Sequence, residues 1–268
     1  MKLIAIFSVF LALALPAYAC GADSDCEIGD RFYRIYMPVG HDGASKVGAI
    51  VFNHGYRGTA AGIMRNGNIK AVADELGVAL IATKSARDDW AIPGAPSDPS
   101  NSGEKEFDYF DNVIADAAAR FPIDTDKLMA TGFSAGGMMT WNLACHRSES
   151  FNVFVPISGT FWDPVPQTCS SPPTSILHIH GDADRTVPLM GRPIAQTKQG
   201  EVPGALDMYA EYGAFAAASE SRMMDMGCEL RENAAGDSLG FCLFEGGHSF
   251  KSGYLKMAWE MFEAKGTL

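Results

Sequence analysis

The chain has 268 residues, a formal charge of −11, and 47% hydrophobic against 20% charged residues. This is the composition of a globular chain able to bury a large core. Its acidity argues against nucleic acid or an anionic membrane as a partner, since both would repel it.

Residues 1–19 read as a signal peptide: Lys2 supplies the positive start, residues 3–15 are an apolar run, and Ala17-Tyr18-Ala19 fits the small-x-small cleavage pattern. A spanning helix needs about 20 apolar residues, more than this run offers, and no later stretch qualifies. Export is therefore expected, with a mature chain of residues 20–268 forming one domain. A lipid anchor on Cys20 is the alternative, weakened by Tyr18 and by the missing Leu.

Cys20, Cys26, Cys145, Cys169, Cys228 and Cys242 all survive cleavage, and an even count in an exported chain points to disulfides. Pairing sequence neighbours gives Cys20–Cys26, Cys145–Cys169 and Cys228–Cys242, the last between two strand-like runs. No C-x-x-C pair or histidine spacing suggests zinc. No metal or other cofactor is expected.

In chain order, residues 32–37 and 46–53 are strand-like, and 47–53 are nearly all apolar, as in a strand buried on both faces. Helical spacing follows over 63–76, then a strand over 78–83. Residues 84–103 form a long loop rich in Pro, Ser, Gly and Asp. Residues 104–120 are amphipathic, with Phe107, Phe110, Val113, Ile114 and Ala117 on one face. Strands are expected at 128–130, 153–157, 175–179 and 241–244, an irregular stretch at 182–204, and helices at 206–226 and 252–264. In this reading Met223, Met224 and Met226 are helix-packing residues. Alternating apolar strands and helices predict an α/β domain with a mostly parallel sheet covered on both faces.

Gly132-Phe133-Ser134-Ala135-Gly136 lies between a strand and a helix, the context of a nucleophile elbow. A serine hydroxyl is a weak nucleophile until an imidazole takes its proton. His248, in Glu245-Gly246-Gly247-His248-Ser249-Phe250 after the last strand, is the candidate base. Asp182 and Asp184 compete to orient that ring. Asp184 is preferred because it lies further into its loop, while Asp182 is expected to bond local amides. His178 and His180 read as satisfied core histidines. The amides of Ala135 and Tyr56 are the candidate oxyanion donors, Tyr56 belonging to the loop His54-Gly55-Tyr56-Arg57-Gly58. Arg57, Trp90 and Trp162 are candidate substrate contacts near the mouth.

Taken together, F-N-H-G-Y-R-G-T-A, the elbow segment, I-L-H-I-H-G-D-A-D-R-T-V-P and E-G-G-H-S-F resemble the α/β-hydrolase superfamily. More narrowly, they resemble secreted polyhydroxybutyrate depolymerases and feruloyl esterases. The resemblance covers about residues 47–250. It implies a single-domain α/β-hydrolase fold with Ser134, Asp184 and His248 as the triad. It also implies a serine esterase whose substrate is a small-molecule or oligomeric ester, either hydroxycinnamoyl or short hydroxyalkanoate. Tyr56-Arg57 departs from the glycine-rich oxyanion loop of many lipases. A prolyl-oligopeptidase-type peptidase shares the order of the triad, and an inactive scaffold that binds glycan or protein is the non-enzyme alternative.

Overall fold

A computed structural model describes residues 20–268; the expected signal peptide, residues 1–19, lies outside the described residues. The first half of the chain folds as β1 (Cys26–Ile28), β2 (Arg31–Tyr36), β3 (Val47–Asn53), α1 (Ala60–Met64), α2 (Gly67–Leu76), β4 (Ala79–Thr83), α3 (Glu104–Arg120), β5 (Ile123–Phe133) and α4 (Ala135–His146). The second half adds β6 (Val153–Ile157), β7 (Ser175–Gly181), β8 (Pro193–Ile194), β9 (Thr197–Lys198), α5 (Val202–Tyr212), β10 (Ser219–Met223), β11 (Met226–Glu232), β12 (Ser238–Phe244) and α6 (Gly253–Ala264).

Ten strands make one sheet in the order β1-β2-β4-β3-β5-β6-β7-β12-β11-β10. Its centre, from β4 to β12, is parallel. Antiparallel strands close both edges. Successive side chains of a strand face opposite sides, so each central strand feeds two cores. Ala49, Val51, Ala130, Phe154 and Ile176 pack with Phe107, Phe110, Met138, Trp141 and Tyr209 of α3, α4 and α5. Ile50, Phe52, Met129, Val155 and Ile179 pack with Ile69, Val72, Tyr254, Trp259 and Phe262 of α2 and α6. Apolar central strands under helices on both faces are the α/β arrangement expected from the sequence. Among the described residues, no helix is long and apolar enough to cross a membrane.

Three local readings are corrected. The helix expected over 63–76 is split in two by caps: Thr59 accepts from the Gly62 amide, and Asn66 accepts from the Asn68 and Ile69 amides. The irregular stretch 182–204 contains the short β8–β9 hairpin and the start of α5. The long helix expected over 206–226 ends at Tyr212, and the chain returns as the β10–β11 hairpin. Met223 and Met226 pair across that hairpin, and Met224 is exposed at its tip with φ 52°. They are strand and turn residues rather than helix packing. The Ala-rich 214–218 run has helical propensity, but Ala214 turns the chain at φ 50° and β11 gains a ladder with β12. Tertiary pairing overrides propensity here.

All three expected disulfides form, with Cα atoms 5.0 Å apart for Cys20–Cys26, 4.6 Å for Cys145–Cys169 and 4.1 Å for Cys228–Cys242. The last joins residues directly opposite each other in the β11–β12 ladder.

Candidate active site

Ser134 occupies the bend between β5 and α4 with φ 61° and ψ −123°. A non-glycine residue there costs on the order of 1–3 kcal/mol, and persists only where its surroundings enforce it. Here the Ser134 amide donates to the Ile157 carbonyl at 2.9 Å, and its own carbonyl accepts from the Met138 amide at 3.0 Å. The flanking glycines are required by space. A Cβ on Gly136 would stand 1.9 Å from the Asn53 carbonyl oxygen, and one on Gly132 2.4 Å from the Gly136 carbonyl oxygen.

The loops after β7 and β12 bring the acid and the imidazole together. Asp182 accepts from the Gly246 amide at 2.9 Å, and the Ala183 amide donates to the Gly246 carbonyl at 2.9 Å. Asp182 was expected to bond amides of its own turn; instead it clamps the neighbouring loop, and Asp184 takes the local amides. Asp184 Oδ1 accepts from the amides of Thr186 and Val187 at 2.8 and 2.9 Å. Its Oδ2 lies 2.7 Å from His248 Nδ1. An ionised carboxylate can only accept, so Nδ1 carries the proton, and in the neutral ring Nε2 keeps its lone pair free to accept one. Burial alone would raise the Asp184 carboxyl, but hydrogen bonds from His180, His248 and the Val187 amide hold it well below the usual carboxylate range.

The His248 ring packs on Phe133, the residue before the serine, with centroids 4.5 Å apart. The structure makes no serine–imidazole hydrogen bond.

The loop after β3 backs onto the elbow: a Cβ on Gly55 would meet the Phe133 carbonyl oxygen at 3.3 Å and the Ser134 Cβ at 3.5 Å. His54 fixes that loop from beneath. Its Nε2 accepts from the Ser85 amide at 3.1 Å, so its Nδ1–H donates to the Gly55 carbonyl at 2.8 Å. Burial pushes the His54 imidazole down to about 4, with Lys84 and Arg31 adding to the effect. Ala135 opens α4, where a first-turn amide has no acceptor within its helix.

Ser134, Ala135 and Tyr56 line one cavity of about 750 Å³. Met138, Trp162, Val187 and Ile194 give it apolar walls, with Asp89, Arg192 and Gln199 among its polar lining. Both long loops, 84–103 and 182–204, contribute to the wall, and Gln196 Nε2 ties them by donating to the Pro96 carbonyl at 3.1 Å. Asp89 is pushed up to about 6 by burial, with Glu106 adding to the rise and the Trp90 amide opposing it. Asp89, Gln199, Val187 and Met138 were not singled out in the sequence, because nothing local shows that such residues share a wall.

The three expected substrate contacts part company. Trp162 does line the cavity. Trp90 does not reach the mouth: it is fully buried beneath the loop after β3, where its Nε1–H donates to the His54 carbonyl at 2.8 Å. Arg57 is exposed with φ 57°, paired to Asp88 at 3.2 Å, and lies outside the cavity lining. The amide of Arg57 donates to the Asp88 carbonyl at 2.7 Å, so the residue fastens the two loops.

Comparison with known proteins fits this geometry. Residues 41–225 match the phospholipase/carboxylesterase family model. NocK of Nocardia uniformis subsp. tsuyamanensis, named as a candidate esterase, is 30% identical over 52% of this chain and 40% of its own length. Feruloyl esterase C of Emericella nidulans is 28% identical over 62% of this chain and 59% of its own. The chain therefore spans less than two thirds of either relative. The acetyl xylan esterase from Aspergillus awamori superposes with a TM-score of 0.64, covering 94% of this chain and 97% of its own at 16% identity, a likeness of fold. The chain has the α/β-hydrolase fold and belongs to the phospholipase/carboxylesterase family.

Proposed function

We propose that this protein is an exported serine esterase that cleaves carboxylic esters through an acyl-enzyme on Ser134. The observation that carries the reading is the 2.7 Å bond between His248 Nδ1 and Asp184 Oδ2 in loops beside a strained Ser134 that opens onto a cavity. His248 Nε2 takes the Ser134 hydroxyl proton as Oγ attacks the ester carbonyl. Negative charge then develops on the carbonyl oxygen, where the amides of Ala135 and Tyr56 receive it. The imidazolium, held by ionised Asp184, returns its proton to the leaving alcohol. Water, deprotonated by the same imidazole, releases the acid and restores Ser134.

A cavity of about 750 Å³ walled by Met138, Trp162, Val187 and Ile194 is wide enough for an aromatic acyl group. Hydroxycinnamoyl esters lead as substrates, in keeping with the named relatives, and short hydroxyalkanoate esters follow. The even set of paired cysteines supports an oxidising destination. A panel of p-nitrophenyl esters, methyl ferulate, hydroxybutyrate oligomers and peptide amides tests the reading. Turnover of aromatic esters above amides supports it. Amide turnover alone would favour a peptidase, and no turnover by folded protein would favour a binding scaffold.

A further inference from the structure

Behind Asp184 runs a buried chain of side chains that the proposed reaction does not use. His178 and His180 lie on the same face of β7, both fully buried, under Trp141 of α4. Trp141 Nε1 is 2.9 Å from His178 Nδ1, and His178 Nε2 is 2.9 Å from His180 Nδ1. His180 Nε2 is 2.8 Å from the Val187 carbonyl oxygen and 3.4 Å from Asp184 Oδ2.

The direction of this chain is set at one end. An indole N–H can only donate, so His178 Nδ1 must accept, and a neutral His178 then carries its proton on Nε2. His180 Nδ1 accepts in turn, which leaves the His180 proton on Nε2, facing a carbonyl and a carboxylate that can only accept. Each group determines the tautomer of the next. Burial, with His180 adding to it, drives the His178 imidazole well below its ordinary range and keeps it neutral. The last donor therefore always points into the acid loop.

We propose that Trp141, His178 and His180 are positioning residues, a one-directional hydrogen-bonded relay that seats the 184–187 loop and moderates the hold of Asp184 on His248. The inference rests on the esterase reading for its kinetic consequence but not for its geometry. His180 Nε2–H bonds the Val187 carbonyl and lies 3.4 Å from the Asp184 Oδ2 that His248 holds, so its positive hydrogen competes electrostatically with the catalytic imidazole for that oxygen. Without it, Asp184 becomes a stronger acceptor for His248 and stabilises the imidazolium more. The ionisable groups facing Asp184 are His180 from β7 and His248 from the loop after β12. Asp182 and Arg185 of its own loop are exposed.

Two NMR measurements on the mature, disulfide-bonded protein test this without turnover. Imidazole nitrogen shifts in the wild type are expected to show both His178 and His180 as neutral Nε2–H tautomers at pH 7. A proton on either Nδ1, or an imidazolium, would overturn the relay. The titration midpoint of His248 is expected to rise by about half a pH unit in His180→Phe. It should return to the wild-type value in His180→Gln, whose amide N–H replaces Nε2–H. Equal midpoints in all three proteins would overturn the moderating role. If His180→Phe does not fold, the wild-type tautomers decide the relay, and His180→Leu, which also lacks the Nε2–H donor, takes its place in the titration with the same expected rise. In the kinetic arm, loss of the donor that seats the 184–187 loop misplaces the imidazole and outweighs its stronger hold, so kcat should fall about tenfold in His180→Phe with KM little changed, and His180→Gln should recover it. Complete absence of ester turnover in the wild type would reject the esterase reading while leaving the tautomer and titration results to stand or fall alone.

Discussion

His248 Nδ1 stands 2.7 Å from Asp184 Oδ2, a bond that spans 64 residues of sequence and joins the loops at the carboxyl ends of β7 and β12. The bond orients one imidazole and stabilises its cation. Replacing the acid by its amide keeps the shape and loses the charge. Asp184→Asn is expected to lower kcat on p-nitrophenyl acetate by about 10⁴-fold, the size of the tautomer penalty in serine hydrolases. Asp182→Asn should cost far less, because Asn Oδ1 can still accept from the Gly246 amide. Steady-state rates of the two variants at equal fold stability make the comparison.

Two buried histidines should make the fold acid-sensitive well above the carboxylate range. His54 is pushed down to about 4 and His178 well below its usual value, both mainly by burial. Their depressed folded values mean that the unfolded chain binds protons first. Their stabilising contribution is complete above about 6.5 and is lost as pH falls toward the folded values. For His54 alone the loss approaches about 3 kcal/mol by pH 4. Urea unfolding at pH 7.5, 6 and 5 should show midpoints falling stepwise, and His54→Gln should flatten the slope.

Asp89 behaves in the opposite sense. Its folded value is raised to about 6, so its contribution is complete below about 4 and is lost as pH rises through 6. An uncharged side chain of the same shape avoids that loss. Asp89→Asn is expected to stabilise the protein by about 2 kcal/mol at pH 7.5, by about half of that at pH 5 and by little at pH 4, as read by urea unfolding at the three pH values.

Gly136 and Gly227 make a matched pair. A Cβ on Gly136 would enter the Asn53 carbonyl at 1.9 Å, whereas nothing lies within 4 Å of one on Gly227. Gly136→Ala should destabilise by more than about 3 kcal/mol or prevent folding. Gly227→Ala should stay within about 0.5 kcal/mol of the wild type. Thermal unfolding with disulfides intact checks both.

Features set by local chemistry are legible in the sequence alone. Gly132-x-Ser134-x-Gly136 specifies a bend because backbone atoms, not side chains, crowd its flanks. The face carrying Phe107, Phe110 and Val113 defined α3 to its ends. Features that depend on what a segment meets were not readable. The 214–218 alanines favour a helix until β12 supplies a ladder for β11. Trp90 looked like a loop residue at the mouth, since only the fold reveals that its indole supports the His54 carbonyl. His178 and His180 were rightly read as core histidines, but the path from Trp141 through them to Asp184 crosses from α4 to β7 and has no local signature.

The central claim is that Ser134 is the nucleophile, and intact-mass and peptide mass spectrometry after treatment with a fluorophosphonate tests it most directly. One phosphonyl adduct mapped to Ser134, with labelling abolished in Ser134→Ala and slowed in His248→Ala, is the predicted result. A folded wild-type protein that takes up no label, or that is labelled equally well in Ser134→Ala, would contradict it.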